Sequence, residues 1–267
     1  IIAFRLGYAG GLVIGKAHDE MLIASDLPAI TPYTNNVAYI EPGEIASINP
    51  VSASFYSLDG KSISKKFVVT PRNQIDSGKG RYRHYMLKEI HQQPESIIQT
   101  LSGRVSFNNL AIDLPELSNF KADKINRVVL IGMGTSLHAA MVARHWIESF
   151  AKITTEIDNS SEFRYRDPLV DDKTLIVSIC QSGETADTLA AMELARNKGA
   201  QQITLCNYEN TQSTRIADYS MQIKAGPEIA VAASKTFTCS LVSLYLLAIE
   251  LGVKLNRLTT KEIQNNN

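Results

Sequence analysis

The spacing of hydrophobic residues changes near residue 72 and divides the chain into two unlike parts. Before that point, short runs rich in β-branched and aromatic residues are separated by turn sequences such as Pro42-Gly43 and Asp59-Gly60. Short strands with turn signals between them are typical of an antiparallel sheet or sandwich. Residues 1–72 are therefore predicted to be mostly β. The predicted strands cover residues 12–15, 21–24, 36–40, 44–48, 54–57 and 64–70.

A polar stretch containing two glycines follows at residues 72–83, and its composition is that of a linker. Helical spacing of apolar residues then begins at His84 and continues to about Leu101. Residues 73–101 are therefore predicted to form a linker and a linker helix.

From about Lys124 onward, strand-like and helix-like segments alternate. This alternation predicts an α/β fold with a doubly wound parallel sheet. In such sheets, ligands bind beyond the carboxyl ends of the strands. The predicted strands are 128–132, 154–157, 174–179, 202–206 and 219–223, and the predicted helices are 136–150, 185–195 and 234–251.

Three of the predicted strand-to-helix junctions are rich in Gly, Ser or Thr, namely 132–136, 180–188 and 226–235. The free N–H groups and the dipole at a helix N-terminus favour an anion. In the second junction, the hydroxyls of Ser182, Thr185 and Thr188 could add hydrogen bonds without adding charge. One such junction alone is most simply an N-cap. Three at one sheet edge predict a shared site for a phosphate held by neutral donors.

Other ligands and chemistries fit these junctions less well. The first junction has Leu137 where a dinucleotide fingerprint requires a third Gly, and it has no Gly-Lys-Ser/Thr sequence. Cys180 has no base near it in sequence, so a nucleophilic or redox role is the weaker interpretation. The histidine pairs are seven residues apart rather than three or four, so no metal site is predicted.

Composition narrows the class of protein further. The chain has 27 basic and 27 acidic residues, which gives no electrostatic reason to expect nucleic acid or an anionic membrane as a partner. The longest apolar runs are too short, or too interrupted, for us to expect a bilayer span, and Leu241–Leu251 is predicted to be a buried helix. Three separated cysteines favour reduced thiols and a cytoplasmic location. The chain begins Ile-Ile-Ala-Phe, so we expect it to be a fragment of a longer protein.

Several motifs resemble the glutamine–fructose-6-phosphate aminotransferases, in the same order as in that family. Most of them are similar to the family's first sugar isomerase (SIS) domain, one to its interdomain linker and one to the later half of its glutaminase domain. The SIS motifs are Gly134–Ser136, Ser161–Arg166, Gln181–Thr188 and the two pieces Glu228–Val231 and Ser234–Thr238; the linker match is Arg81–Pro94 and the glutaminase match is Met21–Asp26.

The resemblance implies three segments. Residues 1–72 would be the C-terminal part of an N-terminal-nucleophile (type 2) glutaminase domain, 73–101 the linker and its helix, and 102–267 the first SIS domain. The family hydrolyses glutamine and passes ammonia to the isomerase half, which converts fructose 6-phosphate to glucosamine 6-phosphate. No cofactor is implied, and a homodimer is expected because the family's sites are shared between subunits.

By matching of motifs, the resemblance also implies which residues of this chain contact the sugar phosphate. Three positions depart from the family pattern: Met133 replaces a usual Cys, Cys180 replaces a serine whose hydroxyl contacts the ligand, and Ala233 replaces a small hydroxyl residue. The sugar-phosphate-binding residues are predicted to be Thr135, Ser136, Cys180, Gln181, Ser182, Thr185 and Val231.

The resemblance places no catalytic residue and no glutamine-binding residue within this chain. The nucleophilic cysteine would precede residue 1, and the isomerase acid and base residues would follow residue 267. We therefore expect the parent protein to be the enzyme and this chain alone to be inactive. The alternative is a non-catalytic sensor or regulator that binds sugar phosphates through an SIS domain.

Overall fold

The computed structural model of the protein describes residues 1–7, 11–25, 27–70, 78–108 and 111–258. The chain divides into two compact units, one made of Ile1–Ile75 with Glu184–Ala186, and the other of Asp76–Gly183 with Asp187–Asn267. Asp26 and the predicted boundary between residues 72 and 73 lie outside the described residues.

The first unit contains two four-stranded sheets in which all neighbouring strands are antiparallel. One sheet has the order β1-β5-β6-β7 and the other the order β3-β2-β4-β8. The strands are β1 (Ile2–Phe4), β2 (Val13–Lys16), β3 (Met21–Ala24), β4 (Asn36–Tyr39), β5 (Glu44–Ile48), β6 (Ala53–Ser57), β7 (Ser62–Ile63) and β8 (Val68–Val69).

Alternation of side chains along these strands builds the core between the two sheets. Ile14 and Ala38 of one sheet belong to the same buried cluster as Ala46 and Phe55 of the other. The intervening residues Val13, Val37 and Tyr39 face the opposite way and pack with Leu27 and Ile30. The strand-rich character predicted for this segment is confirmed.

One predicted strand is wrong. Within the predicted strand 64–70 only Val68–Val69 form a strand, β8, and residues 64–67 connect it to β7 in the other sheet. Lys65 lies between them and donates from Nζ to the Tyr39 carbonyl oxygen at 2.5 Å, and it also pairs with the carboxylate of Glu44. The chain therefore crosses from one sheet to the other where sequence alone shows one β-prone run.

The second unit has a five-stranded parallel sheet with the order β12-β11-β13-β14-β15. Its strands are β11 (Arg127–Gly132), β12 (Thr154–Asn159), β13 (Thr174–Ile179), β14 (Gln201–Cys206) and β15 (Tyr219–Gln222), and a small hairpin, β9 (Val105–Ser106) and β10 (Ala111–Ile112), precedes them. The helices are α1 (Tyr85–Leu101), α2 (Thr135–Ala151), α3 (Ser160–Phe163), α4 (Ala186–Asn197), α5 (Gln212–Ile216) and α6 (Lys235–Lys254).

Helices cover both faces of this sheet. Val128 and Leu130 of β11 point to the face covered by α2 and α6, whereas Val129 and Ile131 point to the face covered by α3 and α4. Both faces are apolar, so the strands read as continuous hydrophobic runs. The predicted doubly wound α/β fold is confirmed. The helices α3 and α5 were not predicted, because four or five residues are too few to show a helical period.

Helix α6 is long and apolar enough to cross a membrane by length and composition alone. In the structure it is a core helix, because Leu244, Leu247 and Leu251 are completely buried in the cluster that contains α2. Length and composition do not distinguish a membrane-spanning helix from a buried core helix, whereas tertiary packing does. The buried helix predicted around residues 241–251 is confirmed.

Strand order fixes where a ligand would bind. From β11 the chain moves outward to β12, then returns across β11 to β13 and continues outward to β14 and β15. The direction of winding therefore reverses between β11 and β13. The carboxyl ends of those two strands form the topological switch point, where doubly wound sheets leave a crevice for ligands.

Candidate functional site

Two of the three Gly-, Ser- and Thr-rich junctions lie at the switch point. The β11–α2 loop, residues 132–136, follows β11, and the β13–α4 loop, residues 180–185, follows β13. Because β11 and β13 are parallel neighbours, both loops leave the same edge of the sheet side by side. Six of the seven predicted site residues lie in these two loops.

The β11–α2 loop leaves the N-terminus of α2 open. Gly134 is the N-cap, with φ of 53°, and it has no side chain with which to cap the helix. The N–H of Ser136 donates to the Met133 carbonyl oxygen at 3.1 Å, which closes the turn. Thr135 is exposed and Ser136 is half-buried, so both hydroxyls lie next to an uncapped helix N-terminus. This arrangement favours an anion.

The β13–α4 loop is held in place mainly by its own backbone. The Gly183 carbonyl oxygen accepts from the Ser213 N–H at 3.1 Å, and the Gln181 carbonyl oxygen accepts from the Asn207 N–H at 3.2 Å. Gly183 has φ of +72°, and a Cβ there would lie 2.7 Å from both Cys206 Sγ and Ser213 Oγ. Only glycine fits this turn.

Side chains of the β13–α4 loop differ in their exposure. Thr185 is exposed, and Gln181 and Ser182 are half-buried. Cys180 is buried, and its backbone N–H donates to the Leu205 carbonyl oxygen at 2.8 Å. Thr188 is also buried and its hydroxyl donates to Ser160 Oγ at 3.2 Å, so the expectation that Thr188 faces a ligand is wrong.

The third junction, the β15–α6 loop (residues 226–234), follows a strand two positions along the sheet from β13. Strand β14 separates β13 from β15. Within this loop Val231 is fully exposed, as a ligand-facing residue would be. The loop is thus at the same edge of the sheet as the other two, but it is not beside the switch point.

Asn207, immediately after β14, links the second and third loops. Its backbone N–H reaches the Gln181 carbonyl oxygen of the β13–α4 loop. Its side chain accepts from the Ala225 N–H at 2.9 Å and donates to the Gly226 carbonyl oxygen at 2.7 Å. Asn207 is buried, so these hydrogen bonds are shielded from water. A single residue therefore contacts both loops, the β13–α4 loop through its backbone and the β15–α6 loop through its side chain.

Two carboxylates organise the β15–α6 loop. Glu228 Oε1 accepts from the Ser234 N–H at 2.9 Å and from the Thr236 N–H at 3.3 Å, and its other oxygen accepts from the Thr236 hydroxyl. Glu228 therefore caps α6, where negative charge is also favoured by the helix dipole. The second carboxylate is Glu89 of α1, which accepts from the Ile229 N–H at 2.6 Å and the Ala230 N–H at 3.2 Å.

Lys235 begins α6 and is buried beside these carboxylates. Its Nζ donates to Gln92 Oε1 at 3.0 Å. Burial lowers the pKa of Lys235 below its usual value, and the negative charges of Glu89 and Glu228 partly oppose that change. Burial also raises the pKa of the Cys239 thiol, so this cysteine is held in its unreactive protonated form.

The arginines of the Ser161–Arg166 motif make ion pairs within the protein. Arg164 Nη1 lies 2.8 Å from Asp187 Oδ1, and Arg166 pairs with Asp158. Both guanidinium groups therefore have carboxylate partners within the protein. Within the ranges that the structure describes, no group of three or more His, Cys, Asp or Glu residues could hold a metal ion.

A separate cavity of about 550 Å³ opens beside the carboxyl ends of β14 and β15. None of the seven predicted site residues lines it. Apart from the buried Cys180, the predicted residues are half-buried or exposed. The cavity is lined by residues that include Cys206, Tyr208, Thr214, Arg215 and Lys224.

Asn207 and Glu89 are residues that sequence reasoning missed. Asn207 follows the predicted 202–206 strand, and a polar residue at the end of a parallel strand is a signal that could have been used. Glu89 lies in the predicted linker helix and reaches residues 140 and 141 positions away in the chain. Nothing in its local sequence distinguishes it from the exposed Glu95.

Comparison with known proteins identifies the domain in the second unit. Residues 123–250 match the SIS domain family. The chain is 42% identical over 238 residues to glutamine–fructose-6-phosphate aminotransferase (isomerizing) of Aquifex aeolicus, covering 89% of this chain and 39% of that protein. It is 41% identical over 254 residues to the enzyme of the same name from Caldanaerobacter subterraneus, covering 94% of this chain and 42% of that protein.

The structure is similar to the C-terminal domain of glucosamine-fructose-6-phosphate aminotransferase from Francisella tularensis, with a TM-score of 0.66 and 36% identity over 71% of this chain and 54% of that one. The chain spans about two fifths of the length of the curated relatives named above. The resemblance that the motifs indicated is therefore confirmed: this chain carries an SIS domain and is, over most of its length, a relative of the glutamine–fructose-6-phosphate aminotransferases.

Proposed function

We propose that the parent protein converts fructose 6-phosphate to glucosamine 6-phosphate with ammonia from glutamine. This chain would supply the sugar-phosphate-binding loops of the isomerase half. The observation that carries the proposal is the placement of the β11–α2 and β13–α4 loops together at the switch point of the sheet. The names of the relatives, which match this chain over about nine tenths of its length, support the choice of substrate.

The phosphate group would bind where neutral donors meet helix N-termini. Thr135 and Ser136 lie at the uncapped start of α2, and Ser182 and Thr185 lie just before α4. Hydroxyls and backbone N–H groups satisfy a phosphate without a nearby cation, and the helix dipole adds to the attraction. Gln181, Cys180 and Val231 would complete the contacts with the sugar.

Proton transfer at the sugar carbonyl and hydrolysis of glutamine would be performed by other parts of the parent protein. The loop residues of this chain offer hydroxyls, an amide and backbone groups, which bind and orient a substrate. The chain alone would therefore be inactive in catalysis. We also propose that the parent is cytoplasmic and works as a homodimer. The homodimer is expected because the family's sites are shared between subunits.

The test is an assay of the full-length protein with glutamine and fructose 6-phosphate, with formation of glucosamine 6-phosphate as the readout. We expect product only when both substrates are present. Binding of fructose 6-phosphate, measured by calorimetric titration, is expected with the same protein. Absence of product under conditions in which the protein is folded would contradict the enzymatic proposal.

A second function is favoured by one observation at the site. Cys180 is buried at the start of the β13–α4 loop, at a position where the family pattern has a hydroxyl that contacts the ligand. A weakened substrate site suits a non-catalytic sensor or regulator that binds sugar phosphates. Such a protein would bind fructose 6-phosphate in the titration and yield no glucosamine 6-phosphate in the assay.

A further inference from the structure

The linker helix α1 presents a row of polar side chains to the segment between β15 and α6. Thr100 Oγ1 donates to the Ile223 carbonyl oxygen at 2.6 Å, and Ser96 Oγ donates to the Ala225 carbonyl oxygen at 3.1 Å. Further along the helix, Gln93 accepts from the Thr238 hydroxyl at 2.6 Å. Residues spaced in this way lie on one face of a helix. This face of α1 therefore follows the β15–α6 segment from one end to the other.

Within that row, Glu89 makes the contacts nearest to Val231. One of its oxygens accepts from two consecutive backbone N–H groups, those of Ile229 and Ala230. Hydrogen bonds from backbone N–H groups to a carboxylate are stronger than those between neutral groups. They fix the backbone immediately before Val231, which is the exposed residue that the family pattern assigns to the sugar phosphate.

The two carboxylates hold the β15–α6 loop on both sides of a short open segment. Glu89 holds residues 229 and 230, and Glu228 holds residues 234 and 236. Between them, within the described part of the chain, the N–H groups of Val231, Ala232 and Ala233 make no hydrogen bond to the protein. Val231 and Ala232 are exposed. The segment therefore presents backbone donors to whatever lies above the sheet edge.

Burial of Glu89 costs free energy that its own hydrogen bonds do not fully offset. Glu89 is only 3% exposed, and in the described residues its Oε2 is buried without a hydrogen-bond partner. A buried carboxylate with one unpaired oxygen is a poor choice for stability alone. Lys235 compensates part of the charge but bonds to Gln92 rather than to Glu89. Glu89 therefore improves the geometry of the β15–α6 loop rather than the stability of the protein.

We propose that Glu89 is a positioning residue for the sugar-phosphate site, which it shapes through the backbone of residues 229 and 230. This inference rests on the proposed function, since it assigns a ligand to the β15–α6 loop. Glu89 touches no ligand itself. It holds Val231 and the neighbouring N–H groups in the arrangement that a sugar phosphate meets, so that the loop need not be ordered on binding.

The test uses the full-length protein with the variants Glu89→Gln and Glu89→Ala, and Glu95→Gln and Glu95→Ala as matched controls on the exposed side of the same helix. We expect the Kd for fructose 6-phosphate to rise about tenfold in Glu89→Ala, because two charge-assisted hydrogen bonds are lost. Glu89→Gln, which keeps one neutral acceptor oxygen, is expected to lie between Glu89→Ala and the wild type. Both Glu95 variants are expected to bind like the wild type.

Two further readouts separate positioning from a general loss of stability. Amide hydrogen exchange in a peptide that covers residues 227–232 should be faster in both Glu89 variants, with other peptides of the second unit unchanged. In the assay, the KM for fructose 6-phosphate should rise while kcat and the KM for glutamine stay within about twofold, since Glu89 contacts no reacting atom.

The outcomes distinguish this inference from the function on which it rests. If the wild type binds no fructose 6-phosphate, the proposed function and this inference are both contradicted. If the wild type binds and a folded Glu89→Gln variant binds equally well with unchanged exchange at residues 227–232, only the positioning role is overturned. If Glu89→Ala does not fold, Glu89→Gln and its exchange pattern still decide.

Discussion

The β13–α4 loop and the β15–α6 loop are both expected to meet the same ligand, but they are held by different means. Gly183 shapes the first loop through its positive φ and its lack of a Cβ, and the loop carbonyls bond to backbone groups of the next strand and helix. The second loop is shaped by the carboxylates of the buried Glu89 and the half-buried Glu228. The conformation of the first loop depends on a local motif, whereas that of the second depends on a helix about 140 residues away in the chain.

This difference shows when a sequence motif is enough to predict the conformation of a loop. A loop that is fixed by glycine geometry carries its conformation in its own sequence, so a motif match predicts its shape. A loop that is fixed partly by a distant carboxylate, such as Glu89, carries only part of that information. Asn207 joins the two loops, and the three predictions below separate their contributions, beginning with the largest expected effect.

The largest effect is expected from Gly183→Ala in the β13–α4 loop. The added Cβ would lie 2.7 Å from Cys206 Sγ and Ser213 Oγ, and closer still to Thr211, at a φ of +72°. We expect a loss of about 3 kcal/mol in the free energy of unfolding, from overpacking added to backbone strain. Urea-induced unfolding of the chain measures this loss.

Gly103→Ala is the matched control for that prediction. Gly103 has nearly the same φ, +77°, but nothing lies within 4 Å of the position its Cβ would take. It should cost only the backbone term of about 1 kcal/mol. Equal losses in the two variants would show that close packing around Gly183 does not shape the β13–α4 loop.

A smaller effect is expected from Asn207→Ala, which cuts the link between the two loops. The substitution leaves the Ala225 N–H and the Gly226 carbonyl oxygen without their buried partner. We expect a loss of about 2 kcal/mol in unfolding free energy. The β15–α6 loop loses its side-chain support, whereas the backbone N–H of residue 207 still holds the β13–α4 loop. We therefore also expect weaker binding of fructose 6-phosphate, by about tenfold, in calorimetric titration.

The control for Asn207 is Asn197→Ala, at an exposed position at the end of α4. It should change neither stability nor affinity by a measurable amount. Asn207→Ala could instead lower stability but leave affinity for fructose 6-phosphate unchanged. That result would show that the two loops act independently on the ligand and that the link through Asn207 does not matter for binding.

The smallest effect is expected from Cys180→Ser at the start of the β13–α4 loop. A hydroxyl is a better donor than a thiol, and a hydrogen bond to a charged ligand is worth roughly 1.5–3 kcal/mol. We expect affinity for fructose 6-phosphate to rise about tenfold in the full-length protein, as measured by titration. Unchanged affinity would mean that the backbone amides of this loop dominate its contact with the phosphate.

Much of the fold could be predicted from the sequence because its signals are periodic. Apolar runs such as Leu175–Ile179 mark strands that are buried on both faces, and the sheet was predicted from their alternation with helices. The break between β7 and β8 could not be predicted, because Lys65 is anchored by Tyr39 and Glu44 from elsewhere in the chain. The helix α3 is too short to show a period.

The candidate site divides in the same way. Gly134 and Gly183 mark their loops in the sequence, since both have a positive φ and Gly183 also has no room for a Cβ. Nothing in the sequence shows that Thr188 turns inward to Ser160 or that Cys180 is buried. No local pattern shows the order of strands in the sheet. That order places the first two loops side by side, and it separates the third loop from them by β14.

By itself, the sequence determined that this chain has a strand-rich first part, a doubly wound α/β second part and glycine-shaped turns after two of its strands. These features depend on periods and residue types that act over a few positions. Only the tertiary structure decided that Asn207 couples two loops and that Glu89 holds the backbone beside Val231. Such contacts join residues far apart in the chain, and their energy arises only when folding removes both partners from water.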